Sequence, residues 1–68
     1  MNEETMNMEM RKVLKKFGVT SQQQIEHAIF KAVEEGRLTG SETLDVILTL
    51  EIPGLDLTHT VKGTIKLE

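Results

Sequence analysis

The side chains of this sequence that could do chemistry are few, and their spacing argues against most of it. Nucleophilic catalysis needs a Ser, Thr or Cys beside a base and close to an oxyanion site. The two serines fall where structure needs them, Ser21 as a helix cap and Ser41 in a connector. Glu34 and Glu35 are consecutive, so on a helix they point about 100° apart, as solvated surface rather than as an acid and base pair. Such a pair would also need burial to separate its pKa values. His59, between Leu57 and Val61 on the inward parity of a strand, would need a second titratable group to act as a ligand or pH switch. The other histidine, His27, falls on the polar flank of a helix, so His59 is expected at the margin of the core. No glycine-rich phosphate loop follows a strand, and the absence of cysteine removes thiolate metal sites and disulfides. A chain of 68 residues also has little room for a substrate pocket of about 300 Å³ or more. The expectation is a protein without catalytic residues, metal or cofactor.

Nucleic-acid binding is the other chemistry to weigh. Two helical segments joined at Phe17-Gly18-Val19-Thr20 resemble a helix-turn-helix, the C-terminal hairpin could serve as a wing, and Gln22, Gln23 and Gln24 would face bases. Against this, the would-be reading helix carries Glu26, Glu34 and Glu35 against only Lys31, where phosphate attraction should dominate affinity. The basic residues Arg11, Lys12, Lys15 and Lys16 are explained by the negative end of a helix dipole. Residues 1–20 carry four bases and three acids, and residues 21–68 four bases and eight acids, for a net charge of -3. That is a weak footprint for a polyanion binder, and a small nucleic-acid-binding regulator is the alternative rather than the leading reading. A membrane-surface role for the Met-rich first segment is opposed by its three acids and by the use of Met as core filler.

The elements that must position these residues follow from periodicity. Met6, Met10, Val13, Leu14 and Phe17 form one helical stripe, predicting a helix over 3–16 with Asn2 as N-cap and Gly18 as its stop. Ser21 and Gln24 make a capping-box pattern, and Ile25, Ala28, Ile29, Ala32 and Val33 make a second stripe, predicting a helix over 22–35 stopped by Gly36. Strict alternation then predicts strands over 43–52 and 56–67 around a turn at Pro53 and Gly54. Leu44, Val46, Leu48, Leu50 and Ile52 share one face of the first strand; Leu55, Leu57, Val61, Ile65 and Leu67 share one face of the second, where Gly63 could mark a bulge. The expected fold is a single α+β domain spanning 1–68, ordered ααββ, with both helices on one face of an antiparallel hairpin.

Two residues do not fit that minimal monomer. Phe30 lies about 120° around its helix from the centre of the stripe and is either an anchor for a partner or a side chain over the core edge. Ile47 is apolar on the polar parity of its strand, either a dimer contact or an ordinary exposed isoleucine. Met8, on the basic side of the first helix, reads as surface.

Self-association is the natural remedy for so small a core. A domain of this size buries only about 60% of its unfolded surface, has no disulfide or metal staple, and would leave a two-stranded sheet with open edges. A homodimer is therefore expected, its sheets joined edge to edge or packed face to face, with an unidentified second protein as a further partner. The first residues lack a signal-peptide pattern, Asn2 excludes N-myristoylation and no stretch approaches the roughly 20 apolar residues of a membrane span, so the expected compartment is the cytoplasm.

The opening MNEETMNMEMRKVLKKFGVTSQQQIE, the connector GRLTGSETL and the ending LTLEIPGLDLTHTVKGTIKLE together resemble a family of short bacterial proteins known only as a domain of unknown function, KKFGVTSQQQIE being the most distinctive part. The resemblance implies a stand-alone bacterial cytoplasmic protein and carries no activity, cofactor or functional residue.

Overall fold

A computed structural model describes all residues 1–68. Their order is α1 (Glu3–Glu34), β1 (Thr43–Ile52), one turn of 3-10 helix (Pro53–Leu55) and β2 (Leu57–Lys66). The chain is α+β, one long helix followed by an antiparallel hairpin, in two compact units, Met1–Arg37 and Leu38–Glu68.

The first unit corrects the expectation of two helices. α1 runs unbroken for 32 residues, about 48 Å at the rise of an α-helix. It begins as expected, with the backbone N–H of Thr5 donating to Asn2 Oδ1 at 3.1 Å and Glu3 and Glu4 in the first turn. Gly18 does not stop it, and Ser21 lies in the helix interior. A mid-helix glycine costs only about 0.5–1 kcal/mol relative to alanine, and no proline lies between residues 3 and 34 to force a break. A second N-cap at Ser21 would stabilise by about 1 kcal/mol while interrupting the ladder of backbone hydrogen bonds through residues 17–21. Thr20 is accommodated by donating its hydroxyl to the Lys16 carbonyl at 2.8 Å. The turn on which a helix-turn-helix arrangement depends is therefore absent.

The real terminus lies where Gly36 predicts it. Gly36 adopts φ 77°, its N–H donates to the Val33 carbonyl at 3.1 Å and the Arg37 N–H donates to the Ala32 carbonyl at 2.8 Å. These are the paired bonds of a helix closed by a left-handed glycine, which has no Cβ to resist that conformation.

Continuity joins the two apolar stripes into one. Met6, Met10, Leu14, Phe17, Ser21, Ile25, Ala28 and Ala32 follow one another at steps of 4, 4, 3, 4, 4, 3 and 4 residues, an 11-residue repeat of 3.67 residues per turn. Ala32 is the one buried apolar residue, 7% exposed, and Ser21, Ile25 and Ile29 are half-buried. Met6, Met10, Val13, Leu14 and Phe17 remain 39–62% exposed.

In the second unit, β1 and β2 pair without interruption from Thr43 opposite Lys66 to Ile52 opposite Leu57, and the Leu67 N–H extends the ladder to the Glu42 carbonyl at 2.9 Å. The register places Leu44, Val46, Leu48, Leu50 and Ile52 on the same face as Ile65, Gly63, Val61, His59 and Leu57, as the alternation predicts. Gly63 stands directly opposite Val46, so it marks no bulge. Leu55 is in the turn rather than on the strand, and Asp56 closes that turn at φ 49°, a left-handed conformation that Asp tolerates better than most side chains. His59 is exposed, which corrects its expected place at the core margin. Alternation assigns a side chain to a face, not to a depth, and this hairpin has no fully buried residue.

Candidate functional site

The surface offers apolar faces rather than a convergent polar centre. No group of three or more His, Asp or Glu side chains is placed to hold a metal ion, and no buried side-chain nitrogen or oxygen lacks a hydrogen-bond partner. No helix is long and apolar enough to cross a membrane.

Phe30 is 72% exposed. It lies in a shallow, open trough with His27, Lys31, Glu34 and Glu35, all at helical spacings of three, four, seven or eight residues from His27. The trough mixes one aromatic face with charges of both signs and suits a protein surface better than a small molecule, which requires enclosure on several sides. Ile47, 66% exposed, is paired with Lys62 on the polar face of the hairpin, between Asp45 and Thr49 on its own strand. Each of the two residues singled out by pattern is thus presented to solvent on its own unit.

The larger apolar surface is one that pattern reading divided. The stripe from Met6 to Ala32 crosses Gly18 without changing its spacing, and that spacing, with the absence of proline, was the signal of its continuity. On the hairpin, Leu48, Ile52, Leu57 and Val61 add a second face at 37–48% exposure.

The connector holds the most organised polar group. The Glu42 carboxylate accepts the Thr39 N–H at 2.9 and 3.1 Å and the Gly40 N–H at 3.0 Å. Donation by the Thr39 backbone, above all, lowers its pKa from 4.5 to about 2, with Gly40, the Thr39 hydroxyl and the backbone of Glu42 adding to it and partial desolvation opposing. Gly40 sits at φ 99°, so the carboxylate braces a turn that only glycine adopts readily. Both donors lie within three residues of it, which makes it a loop brace.

These features define a class: a small α+β chain with one long amphipathic helix, one hairpin and extensive exposed apolar surface. The chain belongs to a family of unknown function, DUF6494, whose model matches residues 1–68. No curated protein matches it, and no solved structure does.

Proposed function

We propose that this chain is a non-enzymatic interaction module of the bacterial cytoplasm that works as a homodimer, with Phe30 and Ile47 contributing to the contact with a second chain. One observation carries the reading. Met6, Met10, Leu14 and Phe17 on the stripe of α1, and Leu48, Ile52, Leu57 and Val61 on one face of the hairpin, are each 37–53% exposed, apolar surface of the kind that a protein contact covers. Extension of the sheet across the subunit contact belongs to the same proposal.

A dimer whose folding depends on association melts at a temperature that rises with protein concentration. Thermal unfolding followed by circular dichroism over a hundredfold range of concentration tests this. A midpoint that climbs by several degrees supports the homodimer. A midpoint independent of concentration, in a fully cooperative transition, contradicts it.

A further inference from the structure

Resting on the homodimer reading, we infer that the second copy joins the sheet along the outer edge of β1, antiparallel about a two-fold axis at Ile47, so that the strands run in the order β2-β1-β1-β2. The Leu67 N–H donates to the carbonyl of Glu42, the residue directly opposite it when the register is continued by one step. In an antiparallel ladder such bonded pairs alternate with unbonded ones. The even-numbered residues of β1 therefore turn their backbone N–H and C=O toward β2, and the odd-numbered residues turn theirs outward. Thr43, Asp45, Ile47, Thr49 and Glu51 present this free row of donors and acceptors; no backbone group outside the hairpin bonds to it, and all five residues are exposed. The strand has no proline, glycine or bulge to turn a neighbour away. A two-stranded sheet is marginal alone, and pairing along this edge makes it four-stranded.

The occupant is a second copy because this edge is complementary to itself. Antiparallel pairing about Ile47 sets Ile47 on Ile47, Asp45 opposite Thr49 and Thr43 opposite Glu51. Each carboxylate then faces a hydroxyl donor, and the one apolar residue on the polar face of β1 is covered. On the other face Val46 meets Leu48 and Leu44 meets Leu50, so the apolar faces of the two hairpins continue into one another. Asp45 keeps Lys62 and Lys66 on the diagonals of its own hairpin, which offsets Glu51 of the second copy on the diagonal across the contact. Pairing about Leu48, the other register with as much overlap, sets Asp45 directly opposite Glu51 twice, and like charges so placed destabilise a sheet. The outer edge of β2 is less open to a neighbour, since it carries Lys62 and Lys66 around the weak strand former Gly63. Pairing β1 on β2 of the next copy would bring acids toward those lysines, but it runs head to tail, leaves a free edge at either end and does not close at two chains.

Thr49 and Thr60 stand opposite each other in the hairpin, and each turns its N–H outward, Thr49 on the β1 edge and Thr60 on the β2 edge. Proline at either position removes no bond of the hairpin and blocks only the edge on which it lies. Light scattering should give Thr49→Pro the 7.7 kDa mass of one chain under conditions where the unmodified protein and Thr60→Pro have twice that mass. The converse result would overturn the β1 contact. Two dimeric variants would overturn it as well, while leaving the homodimer standing. A monomeric unmodified protein would overturn both.

Cysteine crosslinking is the second measurement, in a chain that has no cysteine of its own. Mild oxidation of Ile47→Cys should give a disulfide dimer, because opposed residues of a bonded pair have Cα atoms about 5.5 Å apart, within the span of a disulfide. Thr49→Cys should give none, since its two copies stand about 14 Å apart along the strands, beyond the roughly 7 Å that a disulfide can bridge. If both proline variants are monomeric, the cysteines decide. A disulfide for Ile47→Cys alone supports the contact, and crosslinking of Thr49→Cys alone, or of neither, overturns it.

Discussion

The hydroxyl of Thr20 donates to the carbonyl oxygen of Lys16 over 2.8 Å, one turn back along α1, inside the segment that would have to bend for the helix to end at Gly18. Gly18 has no positive φ, and a Cβ added there would meet nothing within 4 Å. Gly18→Ala should therefore stabilise the protein by about 0.5–1 kcal/mol, the helix-propensity difference between the two residues. Urea unfolding followed at 222 nm measures it. A loss of stability would mean that residue 18 needs a left-handed backbone and that the helix is broken.

Gly36 should respond with the opposite sign. Its φ of 77° is left-handed, and a Cβ in that conformation costs about 1–2 kcal/mol although the space around it is open. Gly36→Ala should lower stability by that amount in the same assay. An unchanged midpoint would show that the paired bonds from Gly36 and Arg37 do not close the helix in solution.

Glu42 makes the connector sensitive to acid. Its pKa is lowered on folding, so its contribution to stability is complete above about pH 4.5 and is lost as pH falls toward 2. The Glu42 side-chain carboxyl, followed by NMR, should titrate well below the ordinary 4.5, near 2. Glu42→Gln should remove the part of the pH dependence that lies in that window. A Glu42 midpoint near 4.5 would mean that the bonds from Thr39 and Gly40 are not held in solution.

Phe30 tests the partner surface. Because it is 72% exposed, Phe30→Asp should change helical content little and the stability of the isolated fold by no more than about 0.5 kcal/mol. If Phe30 contributes to the subunit contact, the same change should weaken dimerisation about tenfold or more, measured by sedimentation equilibrium. Unaltered association would remove Phe30 from that contact.

Much of this fold can be read from residue types alone. The alternation from Leu44 to Ile52 and from Leu57 to Leu67 assigns the hairpin faces correctly, Pro53 marks the turn, and Asn2 and Gly36 mark the two ends of α1. The middle of the helix is where local signals mislead. Gly18, Ser21 and Gln24 have the types of a stop and a capping box, but each is worth about a kilocalorie per mole, and an apolar repeat that carries straight across them has more to lose from a break. His59 and Leu55 fail for another reason, since parity cannot say how deep a face is buried or at which residue a turn yields to a strand. Phe30 and Ile47 were legible because each breaks the pattern of its own element. The Glu42 brace was not, because it depends on the path of a connector that no periodicity describes.

The most direct test of self-association is the molar mass in solution, by light scattering after gel filtration over a tenfold range of loading concentration. The account predicts a mass near twice the 7.7 kDa of one chain, or a mass rising toward that value with concentration. A constant mass of 7.7 kDa would contradict it and leave the helical stripe and Phe30 open to a different protein.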